Sequence, residues 1–319
     1  MLTTSNPLPF SADAPDDALS QIADGICAAS QQLFAGRQRQ RPLWPSRAAV
    51  AALVQDLRAV LFPGHFGGPD LAPESVRDYV TARLERIRPA LREQIRRSLS
   101  IACEHAEATG AGACPGCEAR AVEATDALLA RLPAIRRLLD SDLRAAFASD
   151  PAATFLDETL YCQPGVVAIA QHRIAHQLHL LSIPLLPRII ATLAHAETGV
   201  DIHPGAEIGP HFFIDHGTGV VIGETAQIGA RVRVHQGVTI GARGFSEDPY
   251  GFLVRDGARR PVIGDDVVIH AGASVLGPVT IGVGAVIGGN VWLTQDVPAG
   301  AHVTQGRPQY DVFEDGGGI

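Results

Sequence analysis

The spacing of hydrophobic residues changes near residue 199 and divides the chain into two parts. Before this point, long segments are rich in Ala, Leu, Arg, Glu and Gln, which are good helix formers. These segments cover residues 16–34, 46–61, 74–101, 119–132 and 166–181. Pro89 lies inside the third of them, where a proline is expected to kink the helix. We therefore predict an α-helical domain over residues 15–198, preceded by a flexible arm of residues 1–14.

From Val200 onward, an aliphatic residue recurs at every sixth position. The three runs are Ile202, Ile208 and Ile214; Ile222, Ile228, Val234 and Ile240; and Ile263, Ile269, Val275, Ile281, Ile287 and Leu293. A period of six fits neither a helix nor a single strand, and it is typical of a parallel β-helix built from hexapeptide repeats. Three hexapeptides form one triangular coil, and stacked coils pair their backbones around an aliphatic column. We predict a β-helix domain over residues 199–305 and a flexible tail over 306–319. The fold class is therefore α+β, with an all-α domain followed by the β-helix.

The six-residue phase breaks at two places. Ile214 and Ile222 are eight residues apart, so two extra residues fall between them. Ile240 and Ile263 are 23 residues apart, so an excursion loop of residues 242–261 must leave the prism. Because regular repeats build the scaffold, the breaks are where functional residues are expected.

Composition excludes several classes of function. A net charge of -8 argues against binding to nucleic acid, and no apolar run is long enough to span a bilayer. Residues 1–17 do not read as a signal peptide, so a cytoplasmic protein is the expectation. The chain has no lysine, which excludes a lysine Schiff base. Its five cysteines are too few and too scattered for a disulfide scaffold.

Two motifs around the first break resemble the signature of the serine O-acetyltransferase family. The sequence VDIHP at 200–204 precedes DHGTGVVIGET at 215–225, as in the family pattern DH-[AG]-TG-x-V-[IV]-GET. The resemblance covers residues from about 150 to the end, and the long N-terminal half is similar to family variants with an extended helical domain. It implies a left-handed β-helix that transfers an acetyl group from acetyl-CoA to L-serine, giving O-acetylserine for cysteine biosynthesis.

Acetyl transfer to a hydroxyl needs a base, and histidine suits this task near neutral pH. The resemblance implies that His216 is this base and that Asp201 holds its other ring nitrogen. It also implies that Asp215 binds the substrate ammonium. A second family carboxylate aligns with Thr154, and either Asp157 or Glu158 could replace it. We favour Asp157.

The excursion loop ends in Arg259-Arg260-Pro261, where the family usually has Arg-His-Pro. Arg259 matches the arginine that would hold the serine carboxylate by a bidentate contact. Arg260 stands at the histidine position; it can bind a carboxylate but cannot act as a base. Another hydroxylated acceptor, such as homoserine or a sugar, therefore remains an alternative substrate.

The resemblance also implies contacts with partners. Acetyl-CoA would lie in a groove between adjacent prisms of a homotrimer, which can pair into a dimer of trimers. The candidate acetyl-CoA contacts are Gly241, Ala242, Gly272, Ala273 and Arg307. The C-terminal Ile319 resembles the residue by which family members enter the active site of O-acetylserine sulfhydrylase.

Two other functions remain open, and no metal is predicted. A zinc hydratase on this fold would need His216, His235 and His270 to converge on one ion. A non-catalytic regulator would bind the sulfhydrylase through its tail alone. Two further groups fit a metal by residue type, but we interpret them as loop thiols and packing residues respectively. They are Cys103, His105, Cys114 and Cys117, and the helical face of His172, His176 and His179.

Overall fold

The computed structural model describes residues 16–33, 44–67, 71–108, 116–244 and 261–306. Within them, the helical half consists of seven α-helices and a short 3-10 helix at Pro73–Ser75. The helices are α1 Asp16–Leu33, α2 Arg47–Leu61, α3 Val76–Ala108, α4 Cys117–Ser149, α5 Leu156–Cys162, α6 Pro164–Leu180 and α7 Leu186–Thr198. None of the helices in these ranges is long and apolar enough to cross a membrane.

Helices α3 and α4 are longer than the sequence predicts. The predicted end of α4 at residue 132 is wrong, because the helix continues through Pro133 to Ser149. The buried side chains of Leu132, Ile135 and Leu139 belong to the hydrophobic core on both sides of the proline. This tertiary packing outweighs the local cost of a missing backbone N–H. Likewise, α3 runs through Pro89 without ending.

The second half is a parallel β-helix, which confirms the predicted fold class. Its strands are β1 Asp201–Ile202, β2 Glu207–Ile208, β3 Phe213–Asp215, β4 Val221–Ile222, β5 Gln227–Ile228, β6 Arg233–His235, β7 Thr239–Gly241, β8 Val262–Ile263, β9 Val268–Ile269, β10 Ser274–Leu276, β11 Thr280–Ile281, β12 Val286–Ile287, β13 Trp292–Leu293 and β14 His302–Val303. They form three parallel sheets, β1-β4-β7-β10-β13, β2-β5-β8-β11 and β3-β6-β9-β12-β14. Each strand from β1 to β10 therefore pairs with the strand three places later in the chain, on the next coil, and β14 pairs with β12.

The residues with period six form the interior of this prism. On the first sheet, Ile202 is opposite Ile222, Ile222 is opposite Ile240, and Ile240 is opposite Val275. All thirteen positions of the repeat are buried. Each buried Ile or Val contributes about 1.5–3 kcal/mol by leaving water. The six-residue spacing works because it returns an aliphatic side chain to the inside of each flat face.

A buried ion pair joins the helical half to the first coil. Arg173 on α6 donates from Nε and Nη2 to the two carboxylate oxygens of Asp142 on α4, both at 3.1 Å. Asp142 also accepts from the amide of Phe212 at 2.9 Å, and Arg173 donates to the carbonyls of Ile208 and Gly209. Burial raises the pKa of Asp142, and Arg173 opposes that shift. The pair thus ties two helices to the backbone of the β-helix.

The histidines of α6 pack against the same coil. His172 is buried and its ring stacks on that of His176, with centroids 5.6 Å apart. Nδ1 of His176 lies 2.8 Å from the carbonyl oxygen of Pro204, and the ring of His179 contacts that of His203 edge-on. Burial lowers the pKa of His172 and of His176. These contacts support the interpretation of this face as packing.

Two of the four residues in the other possible metal cluster are described. The sulfur atoms of Cys103 and Cys117 lie 3.2 Å apart, where α3 approaches the start of α4. Cys114 and the side chain of His105 lie outside the described part of the chain. Among the residues that are described, no three His, Cys, Asp or Glu side chains are grouped to hold a metal ion.

Candidate active site

The turn after β3 carries Asp215 and His216 and is fixed by backbone hydrogen bonds on both sides. The amide of Gly219 donates to the carbonyl of Gly199 on one side, and the carbonyl of Thr218 accepts from Gly237 on the next coil, both at 2.9 Å. The two extra residues that break the repeat therefore form a defined turn that is held between neighbouring coils.

His216 has a left-handed backbone conformation, with φ of 57°. Arg231, Asp266 and Asn290 share this conformation at other corners, so it belongs to the scaffold and is not by itself a sign of function. Its consequence is that the imidazole points outward. The side chain of His216 is 79% exposed, and Nε2 lies 3.9 Å from Oδ1 of Asp215. A substrate can therefore reach the ring.

Asp215 lies between His216 and two cationic or polar side chains of the next coil. Its Oδ2 accepts from Nη2 of Arg233 at 2.6 Å and lies 3.2 Å from Nδ1 of His235. The pairing of β3 with β6 causes this arrangement, because it places His235 directly opposite Asp215. The guanidinium of Arg233 also lies over the ring of Phe213, 5.3 Å from its centroid. One oxygen of Asp215 is thus anchored, and the other faces His216.

Asp201 begins β1, and its amide donates to the carbonyl of Val220 at 2.9 Å, just after the turn that carries His216. Its exposed side chain lines a surface groove together with Arg188 and Glu224. Among the described residues, no ion pair within 4.0 Å joins Asp201 to His216. The two residues occupy the same edge of the prism, and their pairing stays a prediction.

The structure separates the two acids that could replace the carboxylate expected at Thr154. Oε2 of Glu158 accepts from both the amide and the hydroxyl of Thr154, each at 2.8 Å. Asp157 instead lies 2.8 Å from Nε2 of His65, away from Thr154. The contacts with Thr154 lower the pKa of Glu158. Glu158 is therefore the acid beside Thr154, and its place in the first turn of α5 could have indicated this reach.

The candidate acetyl-CoA contacts differ in their surroundings. Gly241 ends β7, where a Cβ would meet no atom of the described residues within 4 Å, and Ala242 follows it. Gly272 is an exposed corner, where a Cβ would lie 2.3 Å from Oδ1 of Asn290. Ala273 is fully buried, and its carbonyl accepts from Thr239, so the structure places it in the scaffold.

Four predicted contacts lie outside the described residues. They are Arg259, Arg260, Arg307 and Ile319.

The three histidines of the hydratase alternative do not converge. The rings of His235 and His270 stack face to face, with centroids 4.9 Å apart and planes at 22°. His216 projects outward from the turn, in contact with Asp215. Stacked rings direct their nitrogens along their own planes, so this geometry gives no support to a three-histidine zinc site.

Comparisons with known proteins agree with these motifs. The family model for bacterial transferase hexapeptide (six repeats) matches residues 260–295. A plasmid serine acetyltransferase of Synechococcus elongatus is 51% identical over 86% of this chain and 86% of its own. The serine acetyltransferase of Mycobacterium tuberculosis is 48% identical over 51% of this chain and 67% of its own.

Solved structures show the same relationship. The crystal structure of serine acetyltransferase isoform 3 from Entamoeba histolytica in complex with cysteine is 32% identical, with a TM-score of 0.67. The match covers 93% of this chain and 96% of that one. Sequence identity over most of both chains, together with the shared fold, leads to one conclusion: the chain belongs to the serine acetyltransferase family.

Proposed function

We propose that this protein is a serine O-acetyltransferase that transfers the acetyl group of acetyl-CoA to the hydroxyl of L-serine. The product, O-acetylserine, would serve cysteine biosynthesis. The observation that carries the proposal is the exposed imidazole of His216, which the turn holds beside Asp215. The membership of the chain in the serine acetyltransferase family supports the assignment of this pair to acetyl transfer.

In the proposed reaction, His216 accepts the proton of the serine hydroxyl as its oxygen attacks the thioester carbonyl. The C–S bond then breaks, and the leaving thiolate of CoA takes the proton back from the imidazolium. Asp201 would hold the second ring nitrogen, fixing the tautomer and stabilising the imidazolium. No metal takes part in this scheme.

The substrate ammonium would bind the oxygen of Asp215 that faces His216. For the second carboxylate we now favour Glu158 over Asp157, because Glu158 is the acid in contact with Thr154. Arg259 and Arg260 would hold the serine carboxylate, as two cations suit one anion. An arginine at position 260 also favours testing other amino-acid acceptors.

Acetyl-CoA would bind along the edge where the excursion loop leaves the prism. The fit is supported by the room beside Gly241, where no atom of the described residues lies within 4 Å of a Cβ position, since a pantetheine arm that binds the backbone needs such room. Gly272 and Arg307 would extend the contact. A neighbouring subunit of a homotrimer, alone or in a dimer of trimers, would supply the opposite wall.

The direct test is an acceptor screen with the purified full-length protein. We expect free CoA to appear only when acetyl-CoA and L-serine are both present, as followed with a thiol reagent. Homoserine serves as the matched acceptor, since it carries one more methylene. A higher kcat/KM with homoserine than with L-serine would show that homoserine, and not serine, is the acceptor. A rate equal to acetyl-CoA hydrolysis with every hydroxylated amino acid would overturn acetyl transfer and favour the regulator.

We also propose that Ile319 binds O-acetylserine sulfhydrylase, because the tail resembles the family segment that enters the active site of that enzyme. Deleting Ile319 is expected to abolish pull-down of the purified sulfhydrylase while acetyl transfer is retained. Adding one glycine after Ile319 is a control that keeps the side chain but moves the carboxylate, and it should weaken capture too. Equal capture by all three proteins would contradict the proposal.

A further inference from the structure

The imidazoles of His235 and His270 follow Asp215 along one edge of the prism, one on each of the two next coils. His235 lies opposite Asp215 in the pairing of β3 with β6. The pairing of β6 with β9 aligns Val234 with Ile269, so His270 follows one coil above His235. Their rings stack at 4.9 Å. The stack therefore backs the carboxylate beside His216, although neither ring has a role in the proposed reaction.

The surroundings of His235 indicate which of its two ring nitrogens carries the proton. Its side chain is 16% exposed, and Nδ1 faces Oδ2 of Asp215 at 3.2 Å. Its Nε2 is buried and has no hydrogen-bond partner among the described residues. Burial and the nearby cation of Arg233 lower the pKa of His235, so the ring is neutral at pH 7. A neutral imidazole has one N–H, and Nδ1 is the nitrogen that faces an acceptor.

Arg233 shows why a second donor matters. Its Nη2 donates to Oδ2 of Asp215, while its Nε is buried without a partner in the described part of the chain. Arginine commonly binds a carboxylate with two N–H groups at once. If Arg233 turned to place Nε on Asp215 as well, both oxygens would be engaged and neither would remain for a substrate cation. A donor fixed on Oδ2 opposes this rotation.

We propose that His235, held by its stack on His270, is a positioning residue that keeps Oδ1 of Asp215 turned toward His216 and the cleft. The Nδ1–H group and Arg233 share Oδ2, which leaves Oδ1 for the ammonium of an amino-acid acceptor. This inference rests on the proposed function, because it assigns Asp215 to the binding of that ammonium.

The test compares His235→Phe with His235→Asn in steady-state kinetics of the full-length protein. Phenylalanine keeps a ring on His270 but has no donor, whereas the asparagine amide can replace Nδ1–H. Loss of a hydrogen bond to a charged group should raise KM for L-serine by about 10-fold or more. KM for acetyl-CoA should stay within about twofold, and His235→Asn should restore most of the serine KM.

His302→Phe is the matched control, since His302 is an exposed histidine on β14 of the same sheet. It should leave both KM values unchanged. An unchanged serine KM in His235→Phe, or equal impairment in His235→Asn, would overturn the inference. If His235→Phe does not fold, His235→Ala decides, because it removes the same Nδ1–H donor and should also raise the serine KM. Absence of serine-dependent CoA release by the wild type would instead reject the proposed function.

Discussion

Replacing His216 with asparagine is expected to lower kcat/KM for acetyl transfer by about 10²–10⁴-fold, the usual contribution of a general base. The chain should still fold, because the side chain is 79% exposed and asparagine tolerates a positive φ. The assay is release of free CoA with L-serine, alongside the thermal midpoint of each protein.

His211→Asn is the matched control for this experiment. His211 is exposed and has a similar backbone conformation, with φ of 59° against 57° for His216. Any cost of asparagine at a left-handed corner is therefore common to both variants. Activity lost equally in the two proteins would show that the corner, and not the imidazole of His216, is what acetyl transfer requires.

Replacing Arg173 with methionine is expected to reduce the free energy of unfolding by about 3–5 kcal/mol, because Asp142 would stay buried without its cation. The double variant Asp142→Leu/Arg173→Met should recover much of this loss, since it leaves no buried charge. Recovery should be incomplete, as the amide of Phe212 and the carbonyl of Gly209 would lose their partners. Chemical denaturation followed by circular dichroism measures each value.

An exposed ion pair in this chain provides the control. Arg88 donates from Nε and Nη2 to the two oxygens of Asp126, both at 3.0 Å, with the same bidentate pattern. Its side chains are 61% and 45% exposed, so Arg88→Met should cost at most about 1 kcal/mol. Similar losses for Arg88→Met and Arg173→Met would show that burial does not set the contribution of these pairs.

The β-helix was predictable from sequence because its repeat is local. Each inward position, such as Ile240 or Val275, is determined by a spacing that can be read without knowing the fold. The end of α4 was not predictable in this way, because packing of Ile135 and Leu139 carries the helix past Pro133. Helix propensity is a property of each residue and can be read from the sequence. Burial depends on which side chains of other helices pack against that residue.

In the candidate site, too, residues marked by a local sequence pattern were predicted, and residues that depend on contacts between coils were not. Asp215 and His216 stand at a break in the repeat and within the motif that resembles the family signature, and this resemblance is what indicated their roles. The stack of His235 on His270 was missed as a support for Asp215, because it depends on the register of coils on either side of the extra residues. Glu158 was ranked below Asp157, since the choice between neighbouring acids on a helix depends on which one turns back to Thr154.

The departure point of the excursion loop has a consequence for how such enzymes diversify. Strand β7 ends at Gly241 and β8 begins at Val262, yet β5 still pairs with β8 and β7 with β10 without a slip. The pairing of these strands therefore does not depend on the number of residues between β7 and β8. Substitutions or changes of length between these strands are therefore expected to leave the pairing of the coils, and the corner that carries the imidazole, unchanged. Because the proposed carboxylate contacts Arg259 and Arg260 lie in this segment, their substitution is expected to change acceptor preference without changing the stability of the prism.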